Sequence, residues 1–155
     1  MNFILFVLVV TGNPSIIGRW RVDRVILSDE LQYDRIDSTI AKRNFLQQQE
    51  RIDAVNKQYF TGASRHEPSY AAFAENIEKL YLSFAENGEF QMVFPMSGGE
   101  DVAKGHYQIL ANKNILLLTR GNLVDTVSIC LTDTSLELVK RHGRTFDSYV
   151  YSRIK

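Results

Sequence analysis

Apolar and polar residues alternate in short runs along the second half of the chain, and turn residues separate the runs. Asn87-Gly88 lies between two of these runs and is a strong hairpin signal, because both positions favour a positive φ. With one longer run ahead of them, the runs predict eight strands, at roughly residues 16–27, 80–85, 89–94, 102–110, 114–119, 123–131, 135–140 and 146–153. Short strands at this spacing are typical of an antiparallel barrel or sandwich.

The number of predicted strands favours a closed sheet. Eight strands can curl until the first and the last pair, which leaves room inside for side chains or for one small ligand. Closure also removes the exposed edges that an open sheet presents to solvent. We therefore expect a mostly β fold, an eight-stranded antiparallel up-and-down barrel.

Between the first two predicted strands the apolar spacing changes to a helical period. Asp37 or Ser38 is placed to cap the first helix, and Pro68 suits the first turn of a second helix. We expect a two-helix insertion over residues 34–79 that packs on the barrel. Its apolar stripes are Ala41, Phe45, Ile52, Val55 and Tyr59 in the first helix, and Tyr70, Phe73, Ala74 and Ile77 in the second.

The first dozen residues differ from the rest because residues 3–10 form an unbroken apolar run. The run is much shorter than the roughly 20 residues of a membrane helix, so we expect no integral membrane segment. Its length suits a signal-peptide core, and Val10-Thr11-Gly12 offers small residues for cleavage, although Asn2 stands where a positive charge is usual. We interpret residues 1–12 as a signal peptide, which implies export to a periplasm or beyond the cell. The alternative is a retained apolar strand or plug, which would leave the localisation open.

Length and charge narrow the function classes. The chain has 155 residues, which fits one domain, and residues 13–155 would form it. Eighteen basic residues balance eighteen acidic ones, so the sequence argues against a nucleic-acid partner and an electrostatic membrane anchor.

Residues that could carry catalysis or bind a metal are scattered. His66, His106 and His142 lie in different predicted elements, without a metal-ligand spacing. The glycine-rich stretch at residues 97–99 joins two predicted strands and opens no helix, so it lacks the context of a phosphate loop. Cys130 lies in a strand-like run and is interpreted as a small strand residue. We expect no catalytic residue, no metal and no cofactor, and hence a protein that is not an enzyme.

Three residues carry a resemblance to a known family. Gly18-Arg19-Trp20 near the start of the first strand resembles the Gly-x-Trp signature of the lipocalins, and Arg153 ends the last predicted strand. The resemblance implies barrel closure by Gly18, Trp20 and Arg153, with the Trp at the closed end and the Arg packed across its indole ring. A guanidinium stacked on an aromatic face, with its donors on nearby carbonyls, is a physically sound closure.

The chain is similar to small bacterial lipocalin-like (calycin) domains, many of them exported proteins of unassigned function. The resemblance covers Ile16 to Leu27 and Leu80 to Lys155. The helical stretch departs from the usual pattern, in which a loop joins the first two strands. That connection usually shapes the open mouth of the barrel, so the helices could cover the mouth or lie along the side.

Alternation along the strands selects the side chains that should face the barrel interior. If Trp20 faces inward, Val22, Arg24 and Ile26 share its side, subject to any bend, although Arg24 could equally point outward to an acidic partner. An apolar pocket with a few polar groups would hold a small hydrophobic or amphipathic molecule. The candidate ligand-binding residues are Arg24, Leu82, Phe84, Phe90, Met92, Phe94, Tyr107, Leu117, Tyr149 and Tyr151.

Three functions remain open on the sequence. The leading expectation is a non-enzymatic binding protein for a small apolar or amphipathic ligand. The second is an interaction or structural module with a filled barrel, which contacts a protein partner of unknown identity through its helices or loops. The third, an enzyme acting inside the barrel, would need a titratable pair converging in the pocket, and the sequence places none.

Overall fold

The computed structural model describes residues 14–59, 69–96, 99–110 and 114–155. The predicted signal peptide at residues 1–12 lies outside this part of the chain, as do Pro68 and His66. The described residues form nine strands and two helices. In chain order these are β1 (Gly18–Leu27), β2 (Glu30–Asp34), α1 (Thr39–Tyr59), α2 (Tyr70–Glu78), β3 (Tyr81–Phe84), β4 (Glu89–Met96), β5 (Gly99–Leu110), β6 (Ile115–Arg120), β7 (Leu123–Leu131), β8 (Ser135–His142) and β9 (Thr145–Ile154).

Eight of the strands form a closed antiparallel barrel. From β3 to β9 each strand pairs with its neighbour in the chain, and β1 closes the ring by pairing with both β3 and β9. The mostly β fold and the closed eight-stranded barrel predicted from the alternating pattern are confirmed.

The sequence did not predict β2, which lies ahead of the helices. It pairs with the second half of β1, at Arg24–Leu27, while the first half, at Gly18–Arg21, pairs with β3. The turn before β2 places Ser28 and Asp29 at positive φ, 50° and 67°, without the glycine that usually marks such a turn. Contacts with distant residues support it, since Ser28 donates its N–H to Asp147 and Asp29 accepts from the backbone of Phe146.

A β-bulge changes which residues of β1 face the interior. The register with β9 shifts between Val22 and Arg24, so that Val25 lies opposite Tyr149 and Arg24 lies opposite Val150. Val25 is 3% exposed and joins the core, whereas simple alternation predicted Arg24 and Ile26 on that side. The extra residue of a bulge reverses the phase of the strand, which explains the difference.

The helices lie in the connection between β2 and β3. At the start of α1, Asp37 accepts a hydrogen bond from the N–H of Thr39 at 3.0 Å. Ala41 and Phe45 are buried, but Ile52 and Val55 of the predicted stripe are 40% and 55% exposed, so only the first turns of α1 are covered. Ser69 caps α2, which packs on the barrel core through Phe73, Ala74 and Ile77. Within the described residues, neither helix combines the length and hydropathy that crossing a bilayer requires.

Candidate functional site

The barrel floor consists of Gly18, Trp20, Arg153 and residues 15–17. Trp20 is fully buried, and its indole N–H donates to the carbonyl of Ile16 at 2.8 Å. The guanidinium carbon of Arg153 lies 4.3 Å from the centre of the Trp20 ring, a cation–π distance. The structure thus brings together the Trp and Arg that the lipocalin resemblance singled out.

Backbone carbonyls satisfy the donors of Arg153. It donates to Asp133 at 3.0 Å, to Ile17 at 2.6 Å and to Ser15. Gly18 has a φ of +128°, and a Cβ there would lie 2.9 Å from the Arg153 Nη1. The backbone conformation therefore favours glycine at this position, and a Cβ would in addition force the Arg153 guanidinium to shift.

Three of the candidate ligand residues, Phe84, Phe90 and Tyr107, pack near the floor of the barrel and not around its internal cavity. The rings of Phe84 and Tyr107 meet edge to face with centres 4.9 Å apart, and Phe84 and Phe90 are each 3% exposed. The Tyr107 hydroxyl donates to the carbonyl of Ala85 at 2.9 Å. Phe84 and Phe90 belong to the hydrophobic core, and Tyr107 packs against it.

A cavity of about 260 Å³ lies next to this packed region. Its wall is mostly apolar. Leu80, which follows the end of α2, is one of the residues that line it. Val22, Leu118, Val127 and Leu138 contribute to the wall as well. Five of the ten candidate ligand residues line it: Leu82, Met92, Phe94, Tyr149 and Tyr151.

Two of the candidates lie elsewhere, and each misplacement has a physical reason. Because of the bulge, Arg24 faces outward and donates to the carboxylate of Asp34 at 2.9 Å. Leu117 faces outward because Leu116 and Leu118, 0% and 7% exposed, point into the core. The consecutive apolar residues of β6 give no alternation from which the inward side could be predicted.

The sequence reasoning missed the polar corner of the cavity, which we define as Arg120, Asp125 and Lys140. The Lys140 ammonium donates to Asp125 at 2.6 Å, and the Arg120 guanidinium lies 3.6 Å from the other carboxylate oxygen. The hydrogen bond from Lys140 holds the pKa of Asp125 below its ordinary value. Charged residues on strands usually face solvent, so only the geometry of the barrel reveals that Asp125 and Lys140 border the cavity.

Two tyrosines add uncharged donors. Tyr149 and Tyr151 lie with ring centres 6.5 Å apart, and Tyr151 is 6% exposed. Burial raises the pKa of both hydroxyls, so both stay protonated near neutral pH. The higher pKa values arise from burial and from a neighbouring acidic group in each case. Within the described residues, no hydrogen bond to either hydroxyl contributes to them.

The carboxylate of the polar corner is poorly suited to act as a general base. A carboxylate whose pKa is held low by an ammonium is a weak base, and catalysis near pH 7 favours a base with a higher pKa. The cavity therefore offers apolar contact over most of its surface and hydrogen bonds at one corner.

No protein-family model, no curated protein and no solved structure matches this chain. The geometry of the cavity is consequently the basis of the functional conclusion.

Proposed function

We propose that this protein is a lipocalin-like carrier, with no enzymatic activity, that holds a small apolar or amphipathic molecule inside its barrel. The observation that carries the proposal is the cavity of about 260 Å³, whose apolar wall ends in one polar corner. Small-molecule sites typically combine a large apolar surface with a few fixed polar groups.

Two further features support a lipocalin-like, up-and-down arrangement with a helical insertion. The strands from β3 to β9 follow one another around the barrel in chain order, and the helices lie between β2 and β3. The floor joins Trp20 near the start of the barrel to Arg153 near its end. A closed base beneath a ligand space is the arrangement that the family resemblance implies.

The volume of the cavity suggests the size of the ligand. At about 260 Å³ it lies just below the roughly 300–1,000 Å³ of typical ligand pockets. A compact molecule, such as one with two fused aromatic rings, suits this space better than a long-chain lipid.

A second candidate function is a protein-interaction module that works through the helices. A groove of about 540 Å³ lies between α1, α2 and the turn after β1, and Ile52 at its edge is 40% exposed. This candidate predicts that the barrel interior binds nothing, whereas the carrier proposal requires that it does.

Binding of the fluorescent probe 1-aminoanthracene, with displacement by naphthalene-2-methanol, tests the carrier proposal. Val127→Phe fills the cavity, because Val127 lines it and is 8% exposed. Val124→Phe is the matched control on the same strand, since Val124 is 59% exposed. We expect the first variant to weaken probe binding about tenfold, equal to about 1.4 kcal/mol, and the second to leave it unchanged.

Circular dichroism establishes that both variants are folded. The carrier proposal fails if the parent protein binds no displaceable probe, or if Val127→Phe binds the probe as the parent does.

Export is a separate proposal that depends on the interpretation of residues 1–12 as a signal peptide. N-terminal sequencing of the mature protein after expression of the full chain tests it, and an intact Met1 in all of the protein would contradict it.

A further inference from the structure

The polar corner brings charges from three neighbouring strands to one side of the cavity. Arg120 ends β6, Asp125 lies near the start of β7, and Lys140 lies on β8. Asp125 and Lys140 border the cavity directly, and the carboxylate of Asp125 lies within 4 Å of both cations.

The neighbouring strand supplies a second acid, which lies opposite Lys140. Asp147 on β9 pairs with Lys140 across the ladder. Its carboxylate lies 3.0 Å from the His142 Nε2 and accepts the N–H of Ser28 at 2.9 Å. The formal charges of Arg120 and Lys140 therefore equal in magnitude those of the two carboxylates, Asp125 and Asp147.

This balance determines which head groups the corner accepts. A carboxylate that approaches Lys140 comes close to Asp125, and an ammonium that approaches Asp125 comes close to Lys140, so either charge meets repulsion. A hydroxyl, amide or ketone can instead use a free N–H of Lys140 or a Tyr hydroxyl without disturbing the ion pair. Both Tyr149 and Tyr151 face the same space.

We propose that the cavity selects uncharged amphipathic molecules, such as a small alcohol, amide or ketone with an apolar body, over their carboxylate and amine counterparts. This inference rests on the proposed carrier function. The side chains of the polar corner are 35–44% exposed. Water therefore screens their charges, and we expect the selectivity to be modest.

Calorimetric titration with three ligands that share one apolar body tests the selectivity. The ligands are naphthalene-2-methanol, 2-naphthoate and 2-naphthylmethylamine, all at pH 7. We expect the alcohol to bind at least about fivefold more tightly than either ion, equal to about 1 kcal/mol. The proposal is overturned if either ion binds as tightly as the alcohol, or if 1-aminoanthracene binds and the alcohol does not. Failure of every ligand, 1-aminoanthracene included, overturns the carrier function as well.

Two charge-removing variants assign the selectivity to the polar corner. Asp125→Asn leaves Arg120 and Lys140 with the single carboxylate of Asp147, so the affinity for 2-naphthoate relative to the alcohol should rise at least about fivefold. Lys140→Met should shift the preference toward 2-naphthylmethylamine by a similar factor. Glu137→Gln is the matched control. Glu137 also lies on β8, but its carboxylate accepts a hydrogen bond from the Ser148 hydroxyl and does not line the cavity. An unchanged ranking of the three ligands in both corner variants would also overturn the proposal.

Discussion

The floor and the cavity lie side by side in one barrel, yet they satisfy their polar groups in different ways. At the floor, Arg153 donates to three backbone carbonyls, and Trp20 is fully enclosed. At the polar corner, Asp125 and Lys140 satisfy each other through half-exposed side chains beside an open space. Contacts with the backbone fix the path of the chain, whereas contacts between side chains can be exchanged for contacts with a ligand. We therefore expect the floor to contribute mainly to stability, and the cavity to the proposed binding.

Truncation of one large side chain at the floor and one at the cavity should give the largest difference in unfolding free energy. Trp20→Ala removes a fully buried ring from a packed region and should cost about 3–5 kcal/mol of unfolding free energy. Met92→Ala removes a side chain that already borders a space and should cost about 1–2 kcal/mol. Urea unfolding followed by circular dichroism measures both. Tryptophan fluorescence would not serve for Trp20→Ala, because Trp20 is the one tryptophan in the chain. Equal costs would contradict the division between floor and cavity.

The glycine of the floor should show the next largest effect. Gly18→Ala combines a φ of +128° with a contact at 2.9 Å to Arg153, and should cost about 3 kcal/mol. Gly143→Ala is the control, because Gly143 also has a positive φ, +65°, but has nothing within 4 Å of its Cβ position. It should cost about 1 kcal/mol. If the two variants melt alike, the crowding by Arg153 is absent.

Removal of the guanidinium tests the carbonyl contacts themselves. Arg153→Met keeps the apolar stem over Trp20 but loses three hydrogen bonds, and should cost about 1–2 kcal/mol. Arg141→Met changes an exposed arginine on β8 and should alter the free energy of unfolding by less than about 0.5 kcal/mol. Equal stability of the two variants would show that the guanidinium does not hold the floor.

The smallest effect is expected from the polar corner. A carboxyl whose folded pKa lies below its unfolded value of about 3.9 stabilises the fold above that pH, and the stabilisation is lost as the pH falls through the folded pKa. Asp125 is such a group, because Lys140 holds its pKa down. Since the pair is partly exposed, Asp125→Asn should cost less than about 1 kcal/mol at pH 7. Urea unfolding from pH 7 to pH 3 should show the difference from the parent begin to fall below about pH 4, and a constant difference would contradict it.

The pattern of residues predicts the barrel well because most of its information is local. Turn signals such as Asn87-Gly88, together with alternation in most of the strands, define the strands from β3 to β9. The turn before β2 lacks such a signal. Asp147 and Phe146, near the far end of the chain, stabilise this turn instead. Local pattern therefore fails where distant contacts determine the backbone.

The candidate site was predictable only in part, for a related reason. Alternation placed Met92 and Tyr151 in the cavity, but the bulge reversed it for Arg24, and the uniform run of β6 concealed it for Leu117. The pair of Asp125 and Lys140 forms because neighbouring strands bring it together, which no spacing in the sequence indicates.

The bulge in β1 falls where that strand changes partners, between the residues that pair with β3 and those that pair with β2. Asp23 at the bulge accepts hydrogen bonds from Arg35 at 2.6 Å and from Ser152 at 3.1 Å, which ties the end of β2 to β9. The two halves of β1 therefore have different partners on one side, β3 and β2, while β9 pairs along both halves on the other side. A single additional residue thus lets one strand belong both to the closed ring and to the hairpin that precedes the helices.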